Sequence, residues 1–204
     1  MKEKRGMTTA KLTTAFIIVL ALFPVLYTNG QTKFGDKTAP FFKTFSSGTY
    51  HMKARVVSDG SSTDMELYYK GDMGAVLLEE DGEAMRIVMK DKKTYMIFDT
   101  SKMILIAPAQ AAEDFKGVET DKIKLNGSGT AVFTGKSLPY DEYLGPDGSK
   151  SQYFVDGNKL AGIRSITKEG TADTIISVFD QNVPNNVFDI PGASSGYMIQ
   201  DMSS

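Results

Sequence analysis

Thr49-Tyr50-His51-Met52-Lys53-Ala54-Arg55-Val56-Val57 alternates without a break. Tyr50, Met52, Ala54 and Val56 fall on one side of an extended chain, and His51, Lys53 and Arg55 on the other. A period of two over this length is the mark of a strand with one buried face. Met65, Leu67 and Tyr69 repeat the pattern, as do Met85, Ile87 and Met89 against Arg86 and Lys90. Asp59-Gly60, Asp81-Gly82, Asp147-Gly148 and Asp156-Gly157 punctuate these runs. Asp-Gly supplies the positive φ of a tight hairpin turn. Alternating runs joined by such turns predict an antiparallel meander of about nine to eleven strands.

Three segments are apolar on both faces: residues 75–78, 95–98 and 103–106. Either these strands are central and covered on both sides, or something packs on their second face. Two short helices are the candidates for that cover. The first spans residues 38–47, with Thr38 as N-cap, Pro40 in the first turn and Gly48 after the end. Phe41, Phe42 and Phe45 share one side of it. The second begins near Pro108 and runs to Phe115, while the tail beyond Ser194 is small and polar and is expected to fray.

At the N-terminus Lys2, Lys4, Arg5 and Lys11 precede an apolar run at residues 16–23. Pro24 breaks the run, and Tyr27-Thr28-Asn29-Gly30 closes it. That order predicts a secretory signal at residues 1–30, cleaved near Gly30. A retained anchor is the alternative, although Leu12 to Leu26 is shorter than the roughly 20 residues a bilayer span needs. No Cys follows, which excludes a lipid-modified lipoprotein, thiol chemistry and a disulfide scaffold. The expected location is extracytoplasmic, periplasmic or secreted, with residues 31–204 as one domain. Four of the 23 basic side chains and one of the 25 acidic ones lie in the first 30 residues, so the remainder carries a net charge of −5. That balance argues against a nucleic-acid partner or an anionic membrane surface.

Catalytic chemistry has little to draw on. The single histidine, His51, lies on the Lys53/Arg55 side of its strand, the expected solvated face. Glu79, Glu80, Asp81 and Glu83 read as a solvated hairpin tip. Gly129 to Ser137 imitates a phosphate loop, but it has one residue too many between its glycines and no room for a following helix before Pro139. Asn126-Gly127-Ser128 reads as a turn, or as a glycosylation sequon in a eukaryotic chain. No enzyme activity, metal or cofactor is expected. Met52, Met65, Met73, Met85, Met89, Met96 and Met103 crowd the first half, mostly at inward positions. They are either ordinary core filling or a compliant apolar pocket under the phenylalanine-rich helix.

Near the C-terminus stands Val183-Pro184-Asn185-Asn186-Val187-Phe188-Asp189-Ile190-Pro191, after a strand at residues 174–179 and a hairpin-like stretch at 153–160. With the preceding layout, this ending resembles the LolA-like superfamily of outer-membrane lipoprotein carriers and RseB-like sensors. The resemblance implies a mainly β protein with short helices (α+β). Its strongly curved antiparallel sheet would form a half-open barrel, with helices covering the concave face. It also implies a concavity that holds lipid acyl chains. No Trp is present, and no arginine matches the one carriers use to hold their lid, Arg55, Arg86 and Arg164 being the only ones after the signal.

The expected function is a non-enzymatic, monomeric carrier or binder of a lipid or lipidated protein. Phe41, Phe42, Phe45, Met52, Met65, Leu67, Met85, Ile87 and Met89 would line its site. The alternative is an envelope sensor or protein-interaction domain with no lipid ligand.

Overall fold

The computed structural model describes residues 34–80, 83–108 and 124–202. The signal segment, the Asp81-Gly82 turn and the helix expected at residues 109–115 lie outside the described residues. A short helix, α1 (Ala39–Ser46), precedes six strands: β1 (Thr49–Ser58), β2 (Ser61–Lys70), β3 (Met73–Glu80), β4 (Glu83–Lys90), β5 (Lys93–Phe98) and β6 (Met103–Pro108). Five more follow: β7 (Lys124–Phe133), β8 (Lys136–Leu144), β9 (Lys150–Asp156), β10 (Lys159–Ile166) and β11 (Thr171–Asp180). A last short strand, β12 (Met198–Asp201), comes after two 3-10 turns.

All twelve strands form one open sheet in the order β12-β6-β5-β4-β3-β2-β1-β11-β10-β9-β8-β7. It is two meanders joined where β11 pairs with β1. Tight turns make the meanders. Asp59 and Gly60 take φ of 47° and 77° between β1 and β2, as an Asp-Gly hairpin requires. Asp91 and Lys92 reach φ of 54° and 57° with no glycine to mark them. Thr134 and Gly135 turn β7 into β8, so the imitation phosphate loop is a hairpin.

The alternation in β1 buries Tyr50, Met52, Ala54 and Val56 on one side of the sheet, the helix face. The doubly apolar strands are explained by a second cluster on the far face. There Tyr68, Ala75, Val88, Ile97 and Ile104 are buried with Phe188. Val183, Val187, Ile190 and Tyr197 pack beside them. The C-terminal motif is therefore a strap across the outer side of β2–β6, and it supplies the second cover that residues 75–78, 95–98 and 103–106 need. A third cluster, Phe133, Leu138 and Phe154, sits under Arg164, whose guanidinium lies 5.7 and 5.5 Å from the two phenylalanine rings.

Four expectations are corrected. Among the described residues the sheet has twelve strands, beyond the nine to eleven expected. The tail beyond Ser194 does not fray, because β12 pairs in parallel with β6, Met198 opposite Met103. Its side chains are exposed, and beside the backbone pairing Lys93 Nζ lies 3.6 Å from Asp201 Oδ2. Asn126 is no turn but lies in β7 beside a bulge, its amide donating to Glu142 Oε1 at 2.6 Å. Met73 belongs to the far face, away from the other methionines.

Candidate functional site

The sequence-predicted residues converge. Antiparallel register sets Met52 opposite Leu67, Leu67 opposite Val76 and Val76 opposite Ile87. A parallel row runs Ala54, Met65, Leu78 and Met85. Cross-strand neighbours on one face touch, so Met52, Met65, Leu67, Met85, Ile87 and Met89 share one buried cluster with Phe42 and Phe45. Met89 lies opposite Gly74, where a Cβ would stand 2.6 Å from the Met89 methyl. The glycine makes room for the thioether. Phe41 stands apart: it is half-buried, and its ring meets Phe179 edge-on at 6.2 Å.

Phe42 and Phe45 seat the helix. Phe42 stacks on Phe34 at 4.4 Å and meets Tyr143 and Tyr153 at 5.1 Å each. Phe45 meets Phe179 at 4.6 Å and Tyr50 at 5.1 Å. Burial pushes the Tyr50 and Tyr153 phenols well above the ordinary tyrosine range.

The entry to α1 is pinned by a buried polar group that periodicity does not reveal. Asp141 on β8 is fully buried. Its Oδ2 accepts from the backbone N–H of Lys37 (3.2 Å) and of Thr38 (3.1 Å), and from Thr38 Oγ1 (3.0 Å). Its Oδ1 accepts from Ser128 Oγ at 2.6 Å and lies 3.6 Å from Lys37 Nζ. Tyr143 Oη accepts from Gly35 N–H at 3.0 Å and lies 2.5 Å from Thr38 Oγ1. Burial raises the Tyr143 phenol as well, against the lowering effect of these bonds. Thr38 does occupy the N-cap position, yet its side chain caps no helix N–H and turns to β8 instead. The available signal was an acid, Asp141, two residues from the inward Tyr143 on one strand face.

His51 is corrected from a solvated residue to a packed one. Its side chain is only 13% exposed and lies flat on Tyr68, ring centroids 4.5 Å apart. Nε2 lies 2.8 Å from Glu66 Oε1, which also accepts from Tyr68 Oη at 2.9 Å. Nδ1 lies 3.4 Å from Asp180 Oδ1. Burial pushes Glu66 up, but the Tyr68 and His51 bonds and nearby Lys53 outweigh it and hold the carboxyl below its ordinary range. No nucleophile stands in this cluster, and among the described residues no group of His, Cys, Asp and Glu could hold a metal ion.

A cavity of about 470 Å³ opens elsewhere, where β10 parts from β11. The two strands pair only from Gly162–Ile175 to Ile166–Thr171. A bulge between Leu160 and Gly162 then turns β10 aside, while β11 continues along β1 to Asp180. Phe41, Leu160, Ile176 and Phe179 line the helix-face end of this slot, and Leu138 and Ile175 the far-face end. Lys136, Asp156, Asn158 and Lys159 stand at its rim.

No family model and no curated protein matches this sequence. Solved structures do resemble it. A conserved uncharacterised protein from Thermus thermophilus aligns over 76% of this chain and 91% of its own, at 10% identity and a TM-score of 0.51. A LolA superfamily protein, NE2245 from Nitrosomonas europaea, covers 87% of this chain and 97% of its own, at 9% identity and a TM-score of 0.40. LprF from Mycobacterium bovis covers 67% and 88%, at 12% identity and a TM-score of 0.36. The chain is similar in fold to the Thermus protein, and a LolA superfamily protein stands among the solved structures that resemble it.

Proposed function

We propose that this protein is a non-enzymatic, extracytoplasmic binder or carrier of a lipid or lipidated protein. The helix face is the concave side of the sheet, and α1 covers it. Acyl chain enters among Met52, Met65, Leu67, Met85, Ile87 and Met89, with Phe41, Phe42 and Phe45 above. The observation that carries this reading is the convergence of four thioethers and two aliphatic side chains in one cluster beneath a helix of eight residues. Unbranched thioethers re-pack around variable apolar partners and need no polar partner. A helix this short has little stability of its own, so it can yield where longer cover could not. Each CH₂ taken from water contributes about 0.8 kcal/mol, so an ordinary acyl chain offsets displaced packing.

Titration with a fluorescent fatty acid tests it. Wild type is expected to bind, Met85→Leu to bind and fold almost as wild type, and Met85→Asp to lose binding because a carboxylate is desolvated there. A wild type that binds no acyl probe sinks the reading. The second reading is an interaction domain whose helix-face cluster is plain core. The tight burial of Met52, Leu67 and Ile87, at 0–1% exposure, favours it.

A further inference from the structure

The slot between β10 and β11 contains something an apolar pocket lacks, an unpaired strand edge inside the sheet. Residues 176–180 of β11 pair with β1 on one side, through Ala54–Ile176 to His51–Asp180. On the other side β10 has turned away at its Ala161 bulge, and no strand lies there among the described residues. The N–H and C=O groups of alternate residues that point away from β1 have no strand partner there, and residues 176–180 line the cavity. The sheet thus presents an edge whose two flanks are already built: Leu160 and Phe41 at one end, Leu138 at the other.

We propose that this edge binds an extended peptide segment of a partner protein by strand addition, with one apolar side chain of the peptide entering the cavity. Three observations select a peptide over a hydrocarbon chain. An acyl chain would cover the backbone groups of residues 176–180 that point away from β1 without pairing them, and buried unpaired amides are strongly disfavoured. A peptide backbone pairs them in register. The lining mixes Phe41, Leu160 and Ile176 with Thr134, Asn158 and Ser177, as suits a side chain flanked by polar main chain. The rim supplies charge selection. Lys136 is committed to Asp156 at 3.0 Å, whereas Lys159 forms no ion pair among the described residues and is exposed. The partner segment therefore carries an acidic residue next to its apolar anchor. This inference does not rest on the lipid reading, since its site borders the methionine cluster and shares only Phe41 with it.

The test uses the protein with a panel of blocked peptides, Thr and Val alternating around a central Phe, Leu or Met with Glu beside it. Amide NMR is expected to show shifts across residues 176–180, and slowed hydrogen exchange at those of their amides that point away from β1, with at least one peptide. The same peptide N-methylated along its pairing edge should not bind. Lys159→Glu lies on the exposed rim and should weaken binding by about tenfold while leaving the circular dichroism spectrum unchanged. Any one of these results overturns the proposal: no binding across the panel; equal binding by the N-methylated peptide; shifts centred away from β11; or exchange protection in the free protein of those amides of residues 176–180 that point away from β1, which would mean the chain's own segment fills the edge. A fatty-acid probe that shifts the same amides and displaces the peptide also overturns it, by making the slot the mouth of a lipid site. Absence of fatty-acid binding alone leaves the peptide result standing and removes only the lipid reading.

Discussion

The two faces of the sheet are covered by different devices. On the helix face α1 rests on aromatic rings and is tied at its entry by the buried carboxylate of Asp141. On the far face residues 183–197 form a strap with one fully seated anchor, Phe188, at 3% exposure. Its polar ties are exposed or partly so: Lys70 Nζ to Asn185 Oδ1 at 2.7 Å, Arg86 Nη1 to the Asp189 carbonyl at 3.3 Å, and Tyr197 Oη to Asp99. A bond to a buried charge is worth more than one at the surface. The helix is thus located by a specific polar contact, and the strap mainly by apolar burial. Both lower layers contain β-branched side chains, Val56, Val76 and Ile87 under the helix and Val88, Ile97 and Ile104 under the strap, but the buried thioethers Met52, Met65, Met85 and Met89 lie under the helix. β-branched side chains are stiff at χ1. On the proposed function, the helix face with its four thioethers is the adaptable one and the far face the wall.

The largest effects are expected at the two anchors. Phe45→Ala and Phe188→Ala each remove a ring that is 3% exposed, and each should cost about 3–5 kcal/mol in urea unfolding followed by circular dichroism. The faces separate in what else changes. Phe45→Ala should also alter acyl-probe affinity, and Phe188→Ala should leave it alone. Equal loss of affinity in both would erase the distinction between wall and adaptable face. Next in size is Asp141→Asn, which keeps the shape and removes the charge. It should cost about 2 kcal/mol, against no more than about 0.5 kcal/mol for Lys70→Ala at the strap. Similar losses at the two sites would show that the buried tie locates the helix no more firmly than a surface bond holds the strap.

The legible part of this molecule was whatever depends on local period. β1 was read residue by residue because its inward side is apolar and its outward side charged. The same logic placed Met52, Met65 and Met85 on one face before any pairing was known. Contacts between distant segments were not legible. Asp141 reaches Thr38 across 103 residues, and nothing in either local stretch names the other. His51 was read correctly as outward on its own strand. Outward proved not to mean wet, because β2 lays Tyr68 and Glu66 beside it. β12 was missed because its side chains are exposed, so its four residues show no buried face to read. The motif at residues 183–191 was noticed as a resemblance, while its physical role as the second cover follows only from the far-face cluster.

The smallest expected effect is electrostatic, and it sharpens the account of the outer side of β1 and β2. Glu66 is ionised below its ordinary value of 4.5 in the folded protein. A carboxyl whose folded pKa is depressed contributes stability that is fully present above the unfolded value and is lost as pH falls through the folded one. Tyr68 moves the other way: burial, then its bond to Glu66 and that carboxylate's charge, push its phenol up to about 12. Its contribution is fully present below the unfolded value of 10 and is lost as pH rises from 10 through about 12. The Glu66→Gln variant removes the acid-side loss at its source. Wild type should therefore lose stability relative to that variant as pH falls below 4.5. On the alkaline side both proteins should begin to lose stability near the unfolded value of 10, and the variant should lose less and level off at lower pH than wild type, because one of the causes raising the Tyr68 phenol has gone. Thermal melts across both ranges measure the two limbs. Parallel curves for the two proteins throughout would mean that His51, Glu66 and Tyr68 meet without energetic coupling, and the outer side of β1 would again be simple solvated surface.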